Sequence, residues 1–217
     1  MREQTIQAIL DHKIIAIVRG VDSESIVPTA KALYEGGIRL VEVTFNQKDP
    51  SSFRKTAEAV RAIREAMGDQ MLVGTGTVTS PELVEMSAEA GALYIISPDT
   101  DAAVIRRTRE LGLVSLPGAY TATEAKQAHN AGADFVKLFP CIDGAPAYLK
   151  ALAAPLSHIR FLAVGGVNAD NAATFIKAGA VGVGVGSSLV NKKWAEAGRF
   201  DLITEEAKKF VHNLSEV

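Results

Sequence analysis

Two strand-like runs carry charged residues where an idle charge would be costly. A lysine lies inside Asp134-Phe-Val-Lys137-Leu-Phe139, and a glutamate inside Leu40-Val-Glu42-Val-Thr44-Phe45. Successive strand side chains point to opposite faces. Val136 and Leu138 therefore share one face, and Phe135, Lys137 and Phe139 the other. The same alternation sets Val41, Val43 and Phe45 against Leu40, Glu42 and Thr44. Arg19 ends a third run, Ile14–Val18, on the face of Ile15 and Ile17. A lysine caged by apolar groups is destabilised as a cation, so its pKa falls. The neutral amine can then attack a ketone and form a Schiff base. A glutamate nearby can move protons on and off the adduct. Two other arrangements fit the same residues. Glu42 and Lys137 could form a buried structural ion pair, although desolvation makes such pairs poor stabilisers. Alternatively, Lys137 could end an exposed strand, which the flanking phenylalanines oppose.

Two glycine-rich stretches near the end of the chain suggest an anion site. They are Ala163-Val-Gly165-Gly166-Val-Asn168 and Val181-Gly182-Val-Gly184-Val-Gly186-Ser187-Ser188, the second expected to open a helix. Glycines let backbone N–H groups approach an anion closely, and a helix N-terminus adds favourable partial charge. Tight packing alone would also account for them. The spacing is not G-x-G-x-x-G and lies far from a first βα turn, which argues against a dinucleotide.

The elements that must hold these groups alternate. Strand candidates are Ile14–Val18, Leu40–Phe45, Met71–Val73, Leu93–Ile96, Leu113–Leu116, Asp134–Phe139, Arg160–Val164 and Val181–Val185. Between them lie helical stretches such as Glu24–Glu35, Ser51–Met67, Pro81–Ala90, Ala102–Leu111 and Thr123–Ala131. Such alternation implies βαβ units and a parallel sheet. Ser80-Pro81-Glu82 reads as a helix start, and Gly36-Gly37, Gly91, Gly112, Gly132 and Gly179 as helix C-terminal glycines. Eight units close naturally into an α/β (β/α)8 TIM barrel, with an open doubly wound sheet as the competitor. An N-terminal helix to about His12 would cover the floor, Phe200–Leu214 would form a last helix, and residues 1–217 read as one domain. In a barrel, the loops after the seventh and eighth strands are a frequent phosphate site, and catalytic groups gather at the C-terminal strand ends.

Composition narrows the partners. With 23 basic and 25 acidic side chains among 217 residues, no face is expected to attract nucleic acid or an anionic membrane. A single cysteine, Cys141, excludes an internal disulfide and reads as a small buried hydrophobe. The four histidines, His12, His129, His158 and His212, show no pair at ligand spacing, so no metal is expected. Trp194 and Tyr148 suit either a subunit interface or the outer core. The polar start, Met1 to Gln7, has no apolar signal core, and a cytoplasmic location is the expectation.

Taken together, the chain resembles the KDPG/KHG aldolases, the 2-keto-3-deoxy-6-phosphogluconate and 4-hydroxy-2-oxoglutarate aldolase family. The matching stretches are Ile17-Val-Arg19, Gly36 through Thr44, Val73-Gly-Thr-Gly-Thr77-Val78, Ile96-Ser-Pro98, Pro117-Gly118, Phe135 through Pro140, Gly165-Gly166 and Gly186-Ser187. The resemblance implies that Lys137 is the Schiff-base lysine and Glu42 the general acid/base. It implies that Thr77 contacts the pyruvate-derived carboxylate, that Arg19 lies near substrate, and that Phe139 packs beside the Schiff base. Gly165, Gly166 and Ser187 match phosphate-binding positions. It further implies a class I aldolase, a carbon–carbon lyase. Such an enzyme cleaves 2-keto-3-deoxy-6-phosphogluconate to pyruvate and glyceraldehyde 3-phosphate, or 4-hydroxy-2-oxoglutarate to pyruvate and glyoxylate. No cofactor is implied, the partner is a small phosphorylated keto acid, and the assembly is a homotrimer. Some relatives carry a carboxylate-binding arginine where this chain has Asn46, which shifts that task to Arg19, Thr77 or Lys48. Asp99 replaces the small residue often seen after Ser-Pro, and Ala119-Tyr-Thr-Ala122 follows Pro117-Gly118 without the usual proline. Two rivals remain at this level: another phosphate-binding barrel, such as an epimerase or thiamine-phosphate synthase, and a silent sugar-phosphate-binding barrel.

Overall fold

Every strand pairing is parallel, and the ladder runs almost full circle. The computed structural model describes residues 1–142, 144–215 and 217. Its strands are β1 (Ile14–Val18), β2 (Leu40–Thr44), β3 (Leu72–Gly76), β4 (Tyr94–Ile96), β5 (Val114–Leu116), β6 (Gly118–Ala119), β7 (Val136–Leu138), β8 (Phe161–Val164) and β9 (Gly182–Val185). Their order is β5-β4-β3-β2-β1-β9-β8-β7-β6. The two ends of that list are neighbours in sequence, separated by Pro117 alone. Leu116 pairs back to β4 at Ile96, whereas Gly118 pairs forward to β7 at Lys137. Proline has no N–H to donate, so one strand is divided there into two halves that serve opposite neighbours. Lys137 donates its backbone N–H to the Pro117 carbonyl at 2.8 Å, and Phe135 donates to Ser115 at 3.2 Å. These bonds join the two edges into a ring, so the eight expected strands appear as nine segments of a TIM-barrel-like α/β fold. The open doubly wound alternative is thereby ruled out.

Helices α1 (Arg2–His12), α2 (Ile26–Glu35), α3 (Phe53–Met67), α4 (Pro81–Glu89), α5 (Ala102–Glu110), α6 (Ala122–Ala131), α7 (Ala145–Ala153), α8 (Ala172–Lys177), α9 (Lys192–Glu196) and α10 (Phe200–Ser215) complete the fold. Alternation sorts two apolar layers. Ala16, Val41, Val43, Val73, Val136, Leu138, Ala163 and Val183 pack outward against the helices. Ile15, Leu40, Tyr94, Leu116, Phe135 and Leu162 fill the interior, where Ile6 and Ile9 of α1 close the floor. The glycines read as helix stops fall where expected, with φ of +90° at Gly91, +107° at Gly132 and +108° at Gly179, a region that L side chains avoid. Ser80 precedes α4 and Pro81 begins it, but the Ser80 side chain makes no capping bond to the helix.

Asp134 fastens the closure from below. Its carboxylate is 7% exposed and accepts from the Ser115 N–H at 2.9 Å, from Arg109 at 2.9 Å and from Arg2. One side chain thus ties α1 and α5 to both sides of the seam. Asp134→Ala should strip three donors of their acceptor. A loss of about 2–4 kcal/mol in unfolding free energy is expected by urea titration. A change under about 0.5 kcal/mol, ordinary for a surface site, would remove Asp134 from this role.

Candidate active site

Glu42 and Lys137 stand on opposite walls of the ring. From β2 to β7 the path is four strand steps through β1, β9 and β8, and also four through β3, β4 and the β5/β6 strand. Both side chains point inward, as the alternation requires, Glu42 from the middle of β2 and Lys137 from the middle of β7. Glu42 is 2% exposed and Lys137 7%. Burial pushes the Lys137 amine below the ordinary lysine range. Glu42 opposes that shift, Arg19 reinforces it, and Asp99 opposes it. Burial pushes the Glu42 carboxyl up, against the pull of Lys137 and Arg19. The Lys137 Nζ sits 4.5 Å from the centre of the Phe139 ring. Glu42 Oε2 is buried with no hydrogen-bond partner. No ion pair joins the two residues. A structural salt bridge would need contact and full hydrogen bonding to offset desolvation. The arrangement instead favours two groups held toward neutrality: an amine able to attack carbon and a carboxyl able to give and take a proton.

Room for Glu42 and for the buried Tyr94 is made by β3. Its inward positions are Leu72, Gly74 and Gly76. A Cβ at Gly74 would lie 2.1 Å from Cε2 of Tyr94, whose hydroxyl donates to the Val41 carbonyl at 2.7 Å. A Cβ at Gly76 would lie 1.5 Å from Glu42 Oε1. The Tyr94 ring and the Glu42 carboxyl therefore rest directly on glycine backbone. From the sequence this strand runs only from Met71 to Val73, whereas in the structure it continues through Gly76. The overlooked signal is the i, i+2 spacing of the two glycines, which marks close approach of another group on one face.

Thr77 follows Gly76 at the rim, half-buried, with φ of +57°. That is a left-handed conformation which β-branched residues rarely adopt. Arg19 is exposed at the end of β1 and acts electrostatically on both Glu42 and Lys137, which places it at the mouth. Asn46 does not reach across the site. Its side-chain oxygen accepts the Lys48 N–H at 3.2 Å, and its carbonyl accepts the Asp49 N–H at 3.0 Å, forming a local turn. Lys48 is exposed on that turn.

Phe139 connects the amine to the glycine loops. A Cβ at Gly165 would sit 3.3 Å from the Phe139 ring, and one at Gly166 would fall 2.2 Å from the Cys141 carbonyl oxygen. Both glycines are left-handed, with φ of +88° and +72°. Ser188 donates to the Val167 carbonyl at 2.7 Å and so ties the two loops together. Ser187 is exposed beside it. One expectation is corrected here: Gly186-Ser187-Ser188 does not open a helix. The Leu189 and Val190 N–H groups bond back to the Gly186 carbonyl, and α9 starts only after Asn191, which caps it through Lys193. An anion at these loops would be met by backbone N–H groups and not by a helix terminus.

Other residues have plainer roles. Cys141 is 2% exposed, donates to the Leu138 carbonyl, and its thiol is pushed by burial up to about 11, so it is not a nucleophile at neutral pH. His129 and His158, distant in sequence, meet edge to face with ring centres 4.9 Å apart. Even so, no cluster of three or more metal-binding side chains exists among the described residues. Trp194 is half-buried against the outer core, and Tyr148 stacks on Tyr120 at 5.2 Å. No helix among the described residues is long and apolar enough to cross a membrane.

The geometry has counterparts among known proteins. Residues 6–206 match the family model described as KDPG and KHG aldolase. The chain is 40% identical over 177 residues to the 2-dehydro-3-deoxy-6-phosphogalactonate aldolase of Escherichia coli, covering 81% of this chain and 83% of that one. It is 35% identical over 193 residues to the 2-dehydro-3-deoxy-phosphogluconate aldolase of Treponema pallidum, covering 88% and 89%. Among solved structures, the KDPG aldolase of Legionella pneumophila, captured with pyruvate as a covalent carbinolamine, superposes with a TM-score of 0.82. Its identity is 25%, covering 94% of this chain and 96% of that one. The chain belongs to the KDPG and KHG aldolase family, and it is an aldolase that makes and breaks carbon–carbon bonds.

Proposed function

We propose that the chain cleaves a 2-keto-3-deoxy-6-phosphohexonate to pyruvate and glyceraldehyde 3-phosphate through a Schiff base on Lys137. The observation that carries this is the buried amine of Lys137, in no ion pair with Glu42, in a ring that also buries the Glu42 carboxyl with its Oε2 lacking a hydrogen-bond partner. Neutral Lys137 attacks the C2 carbonyl, and loss of water leaves an iminium. Carboxylate Glu42 removes the C4 hydroxyl proton. The C3–C4 electron pair moves into the iminium, giving an enamine and the free aldehyde. Protonation at C3 and hydrolysis release pyruvate and restore the amine. The iminium is the electron sink, so the step needs no further acceptor. Phe139 covers the adduct, Thr77 and Arg19 receive the carboxylate end, and Gly165, Gly166 and Ser187 receive the phosphate. The gluco acid is the substrate read from the sequence. The 40% identical relative, named for the galacto acid, favours that C4 epimer as a second reading, and 4-hydroxy-2-oxoglutarate presents the same reacting carbons. A homotrimer is the assembly that the family resemblance implies.

Borohydride reduction in the presence of pyruvate tests the proposal. A stable adduct on the peptide bearing Lys137 is expected by mass spectrometry. An unmodified chain, or an adduct on another lysine, would overturn it. An epimerase or a silent binding barrel would give no adduct.

A further inference from the structure

We propose that Gln47 is the positioning residue that sets pyruvate affinity, by holding Thr77 in its left-handed conformation. This rests on the reading above, in which Lys137 binds pyruvate covalently and Thr77 meets its carboxylate. Gln47 is exposed on the turn after β2, yet its side-chain Nε2 donates to the Thr77 carbonyl at 2.8 Å. The turn is shaped for this. Asn46 accepts the Lys48 and Asp49 N–H groups and so directs Gln47 toward the end of β3. Thr77 and Lys13 are the only non-glycine residues with positive φ among the described ones, and Lys13 follows a helix, where that conformation is common. At Thr77 the conformation is uphill for a β-branched side chain, so the surroundings must impose it.

On one side Gly76 is fixed by the Phe45 N–H to its carbonyl at 2.9 Å. On the other, Val78 is fixed by its N–H to Ile96 at 3.2 Å. Between these anchors the Thr77 peptide receives its side-chain bond from Gln47. Because Gly76, on which the Glu42 carboxyl rests, stays anchored by Phe45, a relaxed Thr77 would disturb the rim where the carboxylate end of the ligand lies and leave the Glu42 carboxyl and the Lys137 amine in place. Asn46 and Gln47 thus act together: the first shapes the turn and the second clamps the strand end.

The test compares wild type with Gln47→Met, which keeps length and loses the donor, and Gln47→Glu, which also adds a negative charge. Pyruvate-dependent borohydride trapping gives the half-saturating pyruvate concentration and the maximal extent of adduct. Competition by inorganic phosphate in the cleavage assay probes the other end of the site. In Gln47→Met the half-saturating pyruvate concentration should rise roughly fivefold to tenfold, the worth of one hydrogen bond, and in Gln47→Glu further. Maximal adduct and phosphate inhibition should stay at wild-type values. An unchanged pyruvate requirement in Gln47→Met beside a trapped wild type overturns this inference alone. So does a parallel loss of phosphate affinity, which would mean general loosening of the site. A wild type that is not trapped overturns the aldolase reading and this inference with it.

Discussion

Replacing Lys137 with Met should abolish turnover while leaving the protein as stable as before, or more so. Loss of a covalent nucleophile typically lowers kcat by on the order of 10⁴-fold or more. The stability half of the expectation separates catalysis from structure. If Lys137 and Glu42 were a structural ion pair, removing one partner would cost about 3–5 kcal/mol. For a chain of this size that lowers the melting temperature by roughly 6–20 °C. Met fills a similar volume without a charge to desolvate. The sign of the pH dependence follows from the shift. The folded pKa of Lys137 lies below its unfolded value, so the unfolded chain binds more protons between the two. Wild-type stability therefore rises with pH across that window as its penalty fades. The advantage of Lys137→Met should be greatest below the lowered pKa and vanish as the pH approaches the ordinary lysine value. Melting curves across that range check it, and a large drop in melting temperature would restore the ion-pair explanation.

Glu42→Gln should reduce kcat by about 10²–10⁴-fold, the usual worth of a general acid/base, with Lys137 still trapping pyruvate. Gly76→Ala should have nearly the same effect without touching any reacting group. Its Cβ would stand 1.5 Å from Glu42 Oε1 and 2.3 Å from Cδ, so the carboxyl must leave its seat. Because Gly76 does not have a positive φ, Ala meets no backbone strain there, and overpacking should cost about 1–3 kcal/mol. Steady-state cleavage rates together with melting curves provide the check. A Gly76→Ala chain with wild-type kcat would mean that the carboxyl position does not matter for the reaction.

How much of this was legible in the residues depends on how local each cause is. The inward placement of Lys137 and Glu42 follows from period-two alternation, which any strand obeys, and the structure places both as the alternation requires. Helix ends at Gly91, Gly132 and Gly179 are equally local. The division at Pro117 was not legible. From the sequence that strand ends at Leu116, and only the ring as a whole shows Gly118 and Ala119 pairing with β7. The extension of β3 through Gly76 was missed because the reason for its glycines lies on other strands, in Tyr94 and Glu42. The φ of Thr77 and the reach of Gln47 depend on three segments meeting, which spacing cannot report. The expected helix at Ser187 failed for a local reason that was readable: Asn191 is the better cap, four residues further on.

The seam at Pro117 has a chemical consequence. The strand that shuts the ring is the one whose carbonyl receives the backbone of Lys137. In an unfolded or half-wound chain this lysine is an ordinary, solvated ammonium, and at neutral pH fewer than about one in a thousand such groups is free to react with a keto acid. In the closed ring, burial holds the same amine below the ordinary lysine range. Nascent and damaged chains therefore carry a harmless cation, and the electrophile meets a competent amine only in a finished molecule.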